Sequence, residues 1–595
     1  MFNIYRIAAA SCRLHSADLD FNVEQMSAAY MEMTGKGASL TLFPAFAVTG
    51  KSCGVLFKQK FFLDAAKNAA EKFAASTGNV PAVFGVPELV NGKLTECAAI
   101  ARNGKIIAHV LRRTPDLPDF SGNLLLPENY FFSGQVFDAQ LRFSVEFDGD
   151  IPQINAADIQ LFCGAKAEIP GAWAKRRQRF AAISEISGGA VAAAFTGCGE
   201  STTDQVYGGA LLICENGSVL SERPSPAAEE GIVYADIDLE KICFRQLNKT
   251  FSANTAEKLS PLPETQDLRF LNNPPNPFLP SDQNELKRFC RETFALQTAG
   301  LYQRFCRCHA EKLVIGISGG LDSTLALAVL AKLCQENNLP MTTILAITMP
   351  GFGTTGRTKN NAVELAKLIG TEIREIPIVP ACMQHFSDIG HDAEKTNCVY
   401  ENSQARERTQ ILMDIANAVN GIVIGTGDLS EIALGWSTFN GDQMAMYAVN
   451  ASIPKSNIAA MLQYAVNFIP GSENILLDVI NTPVSPELLP LDEHGEIIQK
   501  TENILGAYEL HDFYLYHFTH GVSNPEKLLV LAKHAFEQRY PDEELLRVQN
   551  LFIKRFFSQQ FKRTAAPDGV QAGIISLSAR SAWQMPADLN GNLWK

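Results

Sequence analysis

Short apolar runs broken by polar, glycine-bearing turns dominate the first 245 residues. RIAAASC, SLTLFP, AVFGVPELV, CAAIARNGKIIAHVL, LRFSVEF, IQLFCG, GAVAAAFTG and GALLICENGSVL each read as β-strands, because compact runs of this length bounded by turn residues fit a buried pleated surface. NGK and ENGS between adjacent runs mark hairpins, since Asn-Gly supplies the positive φ that tight turns need. With helical patterns between the runs, residues 1–245 are expected to form a layered α/β domain with much antiparallel or mixed sheet. Residues 246–285 hold LNKTFSANTAEKLSPLPETQDLRFLNNPPNPFLPSD, where repeated prolines deny both helix and ladder bonds. This stretch is expected to be a linker. From 286 to 595 the pattern changes: KLVIGIS, TILAITMP, TEIREIPI and GIVIGTGD are strands separated by helical segments, the pattern of a parallel sheet with crossovers. Such sheets bind ligands at the carboxyl ends of their strands.

Composition narrows the function. A chain of 595 residues with 46% hydrophobic content exceeds what one core uses, so at least two domains are expected. A net charge of −13 and a sequence pI near 5.4 argue against nucleic-acid binding, which requires clustered cations. A small-molecule substrate is expected instead. No run approaches the roughly 18 apolar residues of a membrane span, and the N-terminus lacks a charged leader ahead of a long apolar core. Thirteen cysteines without regular spacing fit reduced thiols. These features predict a soluble, cytoplasmic protein with no membrane partner. Cys306 and Cys308 flank one residue with no second pair to complete a zinc site, and are read as a solvent-facing helix fragment.

VIGISGGLDSTLALAVLAKL carries the chemistry. A buried strand ends at Ile317, Ser318-Gly319-Gly320-Leu321-Asp322-Ser323 turns, and an apolar-periodic helix follows. The glycines admit close approach of the backbone, the two serines offer hydroxyls, and the helix start offers unpaired N–H groups to an anion. No Lys-Ser or Lys-Thr follows the glycines, so this is not the γ-phosphate loop of kinases and GTPases. Asp322 instead places a carboxylate where a phosphate-bridging Mg²⁺ sits. Downstream, Thr426 lies in a strand-end turn, Glu431 a helical turn beyond Asp428, Asp442 in a Gly-Asp turn, and Lys455 after Pro454 near a helix start. Taken singly, these residues read equally well as a helix cap, a solvated helix face and a surface charge; their order after the loop does not.

The Ser-Gly-Gly-x-Asp-Ser loop resembles that of the ATP pyrophosphatases, and residues 286–595 resemble NAD synthetase. That second resemblance runs through ITMPGFGTTGRTKNNAVELAKLIG, VYENSQARERTQILMDIAN, SPELLP, LHDF and the tail RFFSQQFKRTAAPDGV, and the tail points to the two-domain, glutamine-dependent branch. It implies a Rossmann-like parallel-sheet ATP pyrophosphatase domain that uses ATP and Mg²⁺ to amidate deamido-NAD. By matching positions it implies that Ser318, Gly319, Gly320, Asp322, Ser323, Thr426 and Lys455 bind ATP. It further implies that Asn402, Arg406, Arg408, Glu431, Asp442 and Lys562 contact deamido-NAD, with Asp322 and Glu431 also holding metal. A homo-oligomer built through the N-terminal halves is implied too.

The N-terminal half resembles a nitrilase-type amidase, an α-β-β-α sandwich, through GCGESTTDQVYGGALLICENGSVL and FPAFAVTGKSCGVLF. Nitrilases act through a Glu base, a Lys and a Cys nucleophile. The matching positions here are Ala45, Arg112 (Arg113 if the alignment slips by one) and Asp148. Alanine accepts no proton, guanidinium differs from ammonium in reach and geometry, and a carboxylate attacking an amide would form an anhydride that collapses backwards. Cys163 and Cys198 are strand-end thiols with no neighbouring base or lysine in the sequence and read as inert. The expectation is a catalytically silent amidase domain and a synthetase fed by free ammonia. The rival readings are glutamine use through an unrecognised site, a non-catalytic regulatory or assembly protein, and another pyrophosphatase such as a tRNA thiolase. The acidic charge and the absence of a Cys-x-x-Cys pair weigh against the last.

Overall fold

The computed structural model describes residues 4–90, 93–112, 130–132, 136–137, 141–148, 157–227, 229–246, 273–354, 356–482, 488, 504–522 and 524–594. Arg113, residues 247–272 of the expected linker, and SPELLP apart from Leu488 lie outside them. The chain divides into two compact units. The first comprises Met1–Ser201 and Val206–Ser260, the second Thr202–Gln205 and Pro261–Lys595.

Among the described residues, thirteen strands build the first unit: β1 (Ile4–Ser11), β2 (Leu40–Leu42), β3 (Ala82–Val90), β4 (Lys93–Arg102), β5 (Lys105–Leu111), β6 (Tyr130–Phe132), β7 (Val136–Phe137), β8 (Phe143–Phe147), β9 (Ile159–Gly164), β10 (Ala190–Phe195), β11 (Leu211–Glu215), β12 (Ser218–Arg223) and β13 (Gly231–Asp238). They form one sheet ordered β13-β1-β2-β3-β4-β5-β6 and another ordered β12-β11-β10-β9-β8-β7. The β4–β5 hairpin turns on Asn103 and Gly104 and the β11–β12 hairpin on Asn216 and Gly217, all with positive φ, as the Asn-Gly pairs required.

Alternation along the strands sends one set of side chains between the sheets and the other outward. Ile7, Leu42, Val83 and Ile100 of the first sheet share a core with Phe147, Leu161 and Ala192 of the second. The outward set of the first sheet, including Ala8 and Phe84, packs with Val23 of helix α1 (Leu19–Gly35) and Phe73 of α2 (Lys60–Ala75). Phe162 and Phe195 of the second sheet pack with Phe180 of α3 (Ala172–Ser187). The layers are therefore α-β-β-α.

The second unit is built on a five-stranded, all-parallel sheet ordered β16-β15-β14-β17-β18, with β14 (Lys312–Gly316), β15 (Ile344–Thr348), β16 (Glu372–Glu375), β17 (Gly421–Gly425) and β18 (Tyr447–Ala448). The chain winds outward from β14 to β16 and then returns to pair β17 with β14. The carboxyl ends of β14 and β17 thus flank the switch point where such sheets bind ligands. Part of the expected linker belongs to this unit: Phe278 is buried with Phe513 and Phe536, and the Asn273 side chain donates to the Leu531 carbonyl at 2.8 Å. Thr202–Asp204 is also internal to it, with Tyr447 Oη donating to the Thr202 carbonyl and Arg304 to Thr203 Oγ1.

Phe147 is fully buried between the two sheets. Phe147→Ala is expected to destabilise the first unit by about 3–5 kcal/mol, read as a lower urea midpoint of that unit's near-UV transition.

Candidate active site

The loop after β14 is drawn tight by its serines. Ser318 Oγ and Ser323 Oγ lie 3.1 Å apart, Gly320 N–H donates to Ser318 Oγ at 3.2 Å, and Ser323 Oγ donates to the Gly320 carbonyl at 3.2 Å. Gly319 has φ +83°, and a Cβ there would lie 2.0 Å from the Thr358 carbonyl oxygen. No side chain fits, so the glycine is required by space as well as by conformation. The helix Leu321–Glu336 starts directly after the loop and has no side-chain cap, which leaves its first N–H groups directed at the cavity.

The β17 loop faces it. Asp428 caps the helix Leu429–Leu434 by accepting from Glu431 N–H at 2.8 Å. The buried Asn450 amide joins the two loops, donating to the Asp322 carbonyl at 2.9 Å and the Thr426 carbonyl at 3.1 Å.

Lys455 is the first residue of the helix Lys455–Ala465 and is buried, contrary to the surface reading open to it in the sequence. An ammonium at a helix start faces the positive end of the dipole, so it requires strong partners. It has three: Asp322 at 2.8 Å, Asp428 at 2.7 Å and Glu431 at 2.8 Å. Burial lowers the lysine pKa, but the three carboxylates override that and hold the ammonium charged well above the ordinary lysine range. The backbone of Lys455 is fixed by donation to Ser430 Oγ at 2.8 Å. Ser430 Oγ donates in turn to buried Asp512, which also accepts from Ser456 N–H at 3.0 Å. The Tyr508 ring lies 5.3 Å from the Lys455 ammonium, and its buried hydroxyl has no hydrogen-bond partner.

Oxygen atoms of Asp322, Asp428 and Glu431 lie within 4.8 Å of one another, and Asp322 Oδ1 is buried without a hydrogen-bond partner among the described residues. All-oxygen donors in a cluster with an unsatisfied carboxylate oxygen fit Mg²⁺.

Asp322, Glu431 and Lys455 border a cavity of about 490 Å³ that also reaches Ser318, Ser323 and Thr426. Asn402, Arg408, Asp442 and Lys562 line its other end. Thr438 joins two of them, its Oγ1 donating to Asn402 Oδ1 at 2.9 Å and its N–H to Asp442 Oδ1 at 2.7 Å. Lys562 donates to the carbonyls of Gly435 and Ser437, each at 2.7 Å, so it fixes the turn after Glu431's helix. Arg406 is exposed, donates to the Phe439 carbonyl at 3.2 Å and does not border the cavity. Its neighbour at Arg408 lies one half-turn further round the same helix and does. Gly319 lies under the loop rather than on the cavity wall.

The sequence reading passed over four lining or supporting residues. Trp436 borders the cavity with the Arg555 guanidinium 5.0 Å from its ring. Glu401 borders it with its carboxyl pKa raised by burial. Tyr508 and Asn450 complete the set. A fifth, Asp428, caps the helix that carries Glu431, and its residue type three positions before Glu431 is the one sequence signal among the five.

In the first unit, Ala45 is buried where a Cβ on Gly85 would lie 2.3 Å from its Cα, so the wall is closed there. Arg112 and Asp148 do not form the salt bridge that their opposite charges suggest. Arg112 Nη1 pairs with Glu96 Oε2 at 2.9 Å, and Nη2 donates to the backbone carbonyl of Asp148 at 3.3 Å. The Asp148 carboxylate pairs with Arg179 from α3. The reason is competition: Glu96, on the strand beside Arg112, holds its guanidinium together with the Lys51 ammonium, 3.1 Å from Glu96 Oε1. The Cys163 thiol is fully buried, and burial with the nearby Glu96 charge pushes its pKa up to about 12. Cys198 is half-buried, its thiol pKa also raised by burial. Neither thiol has the lowered pKa of a nucleophile.

The comparisons with known proteins agree with this division. Residues 295–564 match the NAD synthase family and residues 6–243 the carbon-nitrogen hydrolase family. A glutamine-dependent NAD(+) synthetase of Mycobacterium leprae is 29% identical over 99% of this chain and 97% of its own length. One from Mycobacterium bovis is 36% identical over 67% of this chain and 64% of its own length. The crystal structure of a glutamine-dependent NAD(+) synthetase from Cytophaga hutchinsonii superposes with a TM-score of 0.77 at 18% identity, covering 99% of this chain and 98% of that one, which establishes the shared fold. No helix among the described residues is long and apolar enough to cross a membrane.

Lys455→Met leaves three carboxylates facing one another without a counter-charge. The variant is expected to lose about 3–5 kcal/mol of stability and to regain part of it on adding Mg²⁺. Thermal melts with and without the cation check this. Gly319→Ala is expected to weaken nucleotide binding at least about tenfold, because the loop must move off Thr358; calorimetric titration of ATP reads it.

Proposed function

We propose that this chain, in which a nitrilase-like domain precedes an NAD synthetase domain, catalyses the ATP-dependent amidation of deamido-NAD to NAD⁺. The observation that carries the reading is Lys455 held among Asp322, Asp428 and Glu431 at the switch point of the parallel sheet, beside a tight serine–glycine loop. A nicotinate carboxylate is a poor electrophile. Its oxygen attacks the α-phosphorus of ATP, the bond to the bridging oxygen breaks, and pyrophosphate leaves. Ammonia then adds to the acyl-adenylate carbonyl, loses a proton, and expels AMP. When bound, Mg²⁺ supplies charge neutralisation on the departing pyrophosphate, with Asp322 and Glu431 as its ligands.

The residues of the chain do the remaining work. Ser318, Gly320 and Ser323 cradle phosphate oxygens with backbone N–H and hydroxyl groups, Gly319 shapes the loop beneath them, and Thr426 lies across from them. Lys455 adds a fixed positive charge where negative charge develops. Asn402, Arg408, Asp442 and Lys562 hold the dinucleotide at the opposite end. Burial raises the Asp442 pKa and lowers that of Lys562. Arg406 supports the turn at Phe439 rather than the substrate.

The nitrogen donor divides the support. The relatives are named glutamine-dependent, and that kinship favours glutamine reaching the synthetase through a glutaminase site. Against it stand this chain's own side chains: Ala45, Arg112 and Asp148 at the positions matching a nitrilase base, lysine and nucleophile, and no activated thiol at Cys163 or Cys198. For this chain the proposal is free ammonia, with the first unit retained as a silent amidase scaffold. The same reading extends to a cytoplasmic homo-oligomer, a setting consistent with thirteen free cysteines.

The purified chain with ATP, Mg²⁺ and deamido-NAD is expected to form NAD⁺ with ammonium and not with ammonium-free glutamine. Equal turnover with glutamine establishes the glutamine-dependent reading, and Cys163→Ala and Cys198→Ala then identify the thiol responsible. Absence of turnover with either donor removes the synthetase reading itself.

A further inference from the structure

The carboxylates that face Lys455 are not equivalent. Asp322 and Glu431 border the cavity, with side chains 23% and 20% exposed, whereas the Asp428 side chain is fully buried behind them and does not border it. Their bonding differs as well. Lys455 aligns N–H donors on Asp322 Oδ2 and Glu431 Oε1, both at 2.8 Å. Asp428 Oδ2 lies 2.7 Å from the same nitrogen as an ion pair without hydrogen-bond alignment. Asp428 Oδ1 is committed to Glu431 N–H. A cation arriving through the cavity therefore meets Asp322 and Glu431, which border it, before Asp428, which does not.

We propose that Asp428 is not a metal ligand but the permanent counter-charge of Lys455, a positioning residue that holds the ammonium in place when Asp322 and Glu431 turn to a divalent cation. The physical need is plain. Lys455 is buried, and a buried ammonium stripped of its partners is strongly destabilised. Asp428 is the carboxylate that the cavity cannot reach, so a cation does not compete for it. Its second oxygen, bound to the N–H of Glu431, makes the same residue set the spacing between the lysine and the carboxylate that the cation takes. The effect on turnover rests on the function proposed above; the division of ligands does not.

Asp428→Asn separates the roles, because asparagine caps a helix as well as aspartate does but carries no charge. Mn²⁺ alone, titrated into the full chain and followed by electron paramagnetic resonance, is expected to bind Asp428→Asn within about twofold of the parent and Glu431→Gln at least about tenfold more weakly. In NAD⁺ formation with ammonium, kcat of Asp428→Asn is expected to fall about 10–100-fold, with the KM for ATP changed less than about threefold and partial recovery in Asp428→Glu. A Mn²⁺ loss equal to that of Glu431→Gln overturns the proposal by making Asp428 a ligand. Parental kcat overturns it by leaving only a helix cap. If Asp428→Asn does not fold, Asp428→Ser, also a good cap, carries the same two readings. If the parent forms no NAD⁺, the function proposed above fails, and the Mn²⁺ comparison decides the inference: parental affinity in Asp428→Asn upholds it and loss overturns it.

Discussion

Everything in the second unit that bears on chemistry depends on one buried ion cluster, the Lys455 ammonium among Asp322, Asp428 and Glu431. Burying an ammonium is costly unless it is fully paired, and the partners here come from loops more than a hundred residues apart. The cluster therefore ties the loop after β14, the loop after β17 and the start of the helix Lys455–Ala465 into one object. Asp512 extends it, taking Ser430 and Ser456 and fixing the backbone that presents the lysine. Burial raises the carboxyl pKa of Asp428 and pushes that of Glu431 up to about 7, the Lys455 charge opposing both shifts, so charge on these acids is costly unless a cation balances it.

The parallel sheet explains why that cluster sits where it does. Strands β14 and β17 are neighbours in the sheet but far apart in the chain. The gap between their carboxyl ends is a cleft that no side chain has to fill. The serine–glycine loop closes one wall of it and the capped helix Leu429–Leu434 the other, while Asn450 holds both to a fixed spacing. Arg563 on the segment beyond secures the second wall, donating to the carbonyls of Ile432 and Ala433 at the end of that helix. The long C-terminal tail thereby acquires a structural role, capping the helix that carries Glu431.

The first unit shows the same chemistry put to a structural end. Lys51, Glu96 and Arg112 satisfy one another, and Arg179 takes Asp148, so the charges in the region matching a nitrilase pocket are held within the protein. An amidase pocket needs a base, a nucleophile and space. Ala45 offers only a methyl group, its backbone lying against Gly85, and the Cys163 thiol is buried with its pKa pushed up to about 12. The α-β-β-α layers do not depend on that pocket, because they are specified by the apolar alternation of the strands.

The sequence by itself determined a layered α/β first half, the hairpins at Asn103-Gly104 and Asn216-Gly217, the parallel sheet, and the turn at Ser318-Gly319-Gly320, because each is set by local periodicity or by turn residues whose backbone needs are local; the α-β-β-α order of the layers followed from resemblance instead. Of the site residues the sequence offered, all but Gly319 and Arg406 border the cavity. Tertiary structure alone decided the rest. Whether Lys455 is a surface charge or a buried one, whether Arg112 meets the Asp148 carboxylate or Glu96, and whether Arg406 or Arg408 faces the cavity are questions of distance between segments remote in sequence or of which side of a helix packs inward. Tyr508, Trp436 and Asn450 were invisible for the same reason. An aromatic ring or an amide declares nothing by its type, and acquires a role only when folding places it beside an ammonium, a guanidinium or two loops that must be held together.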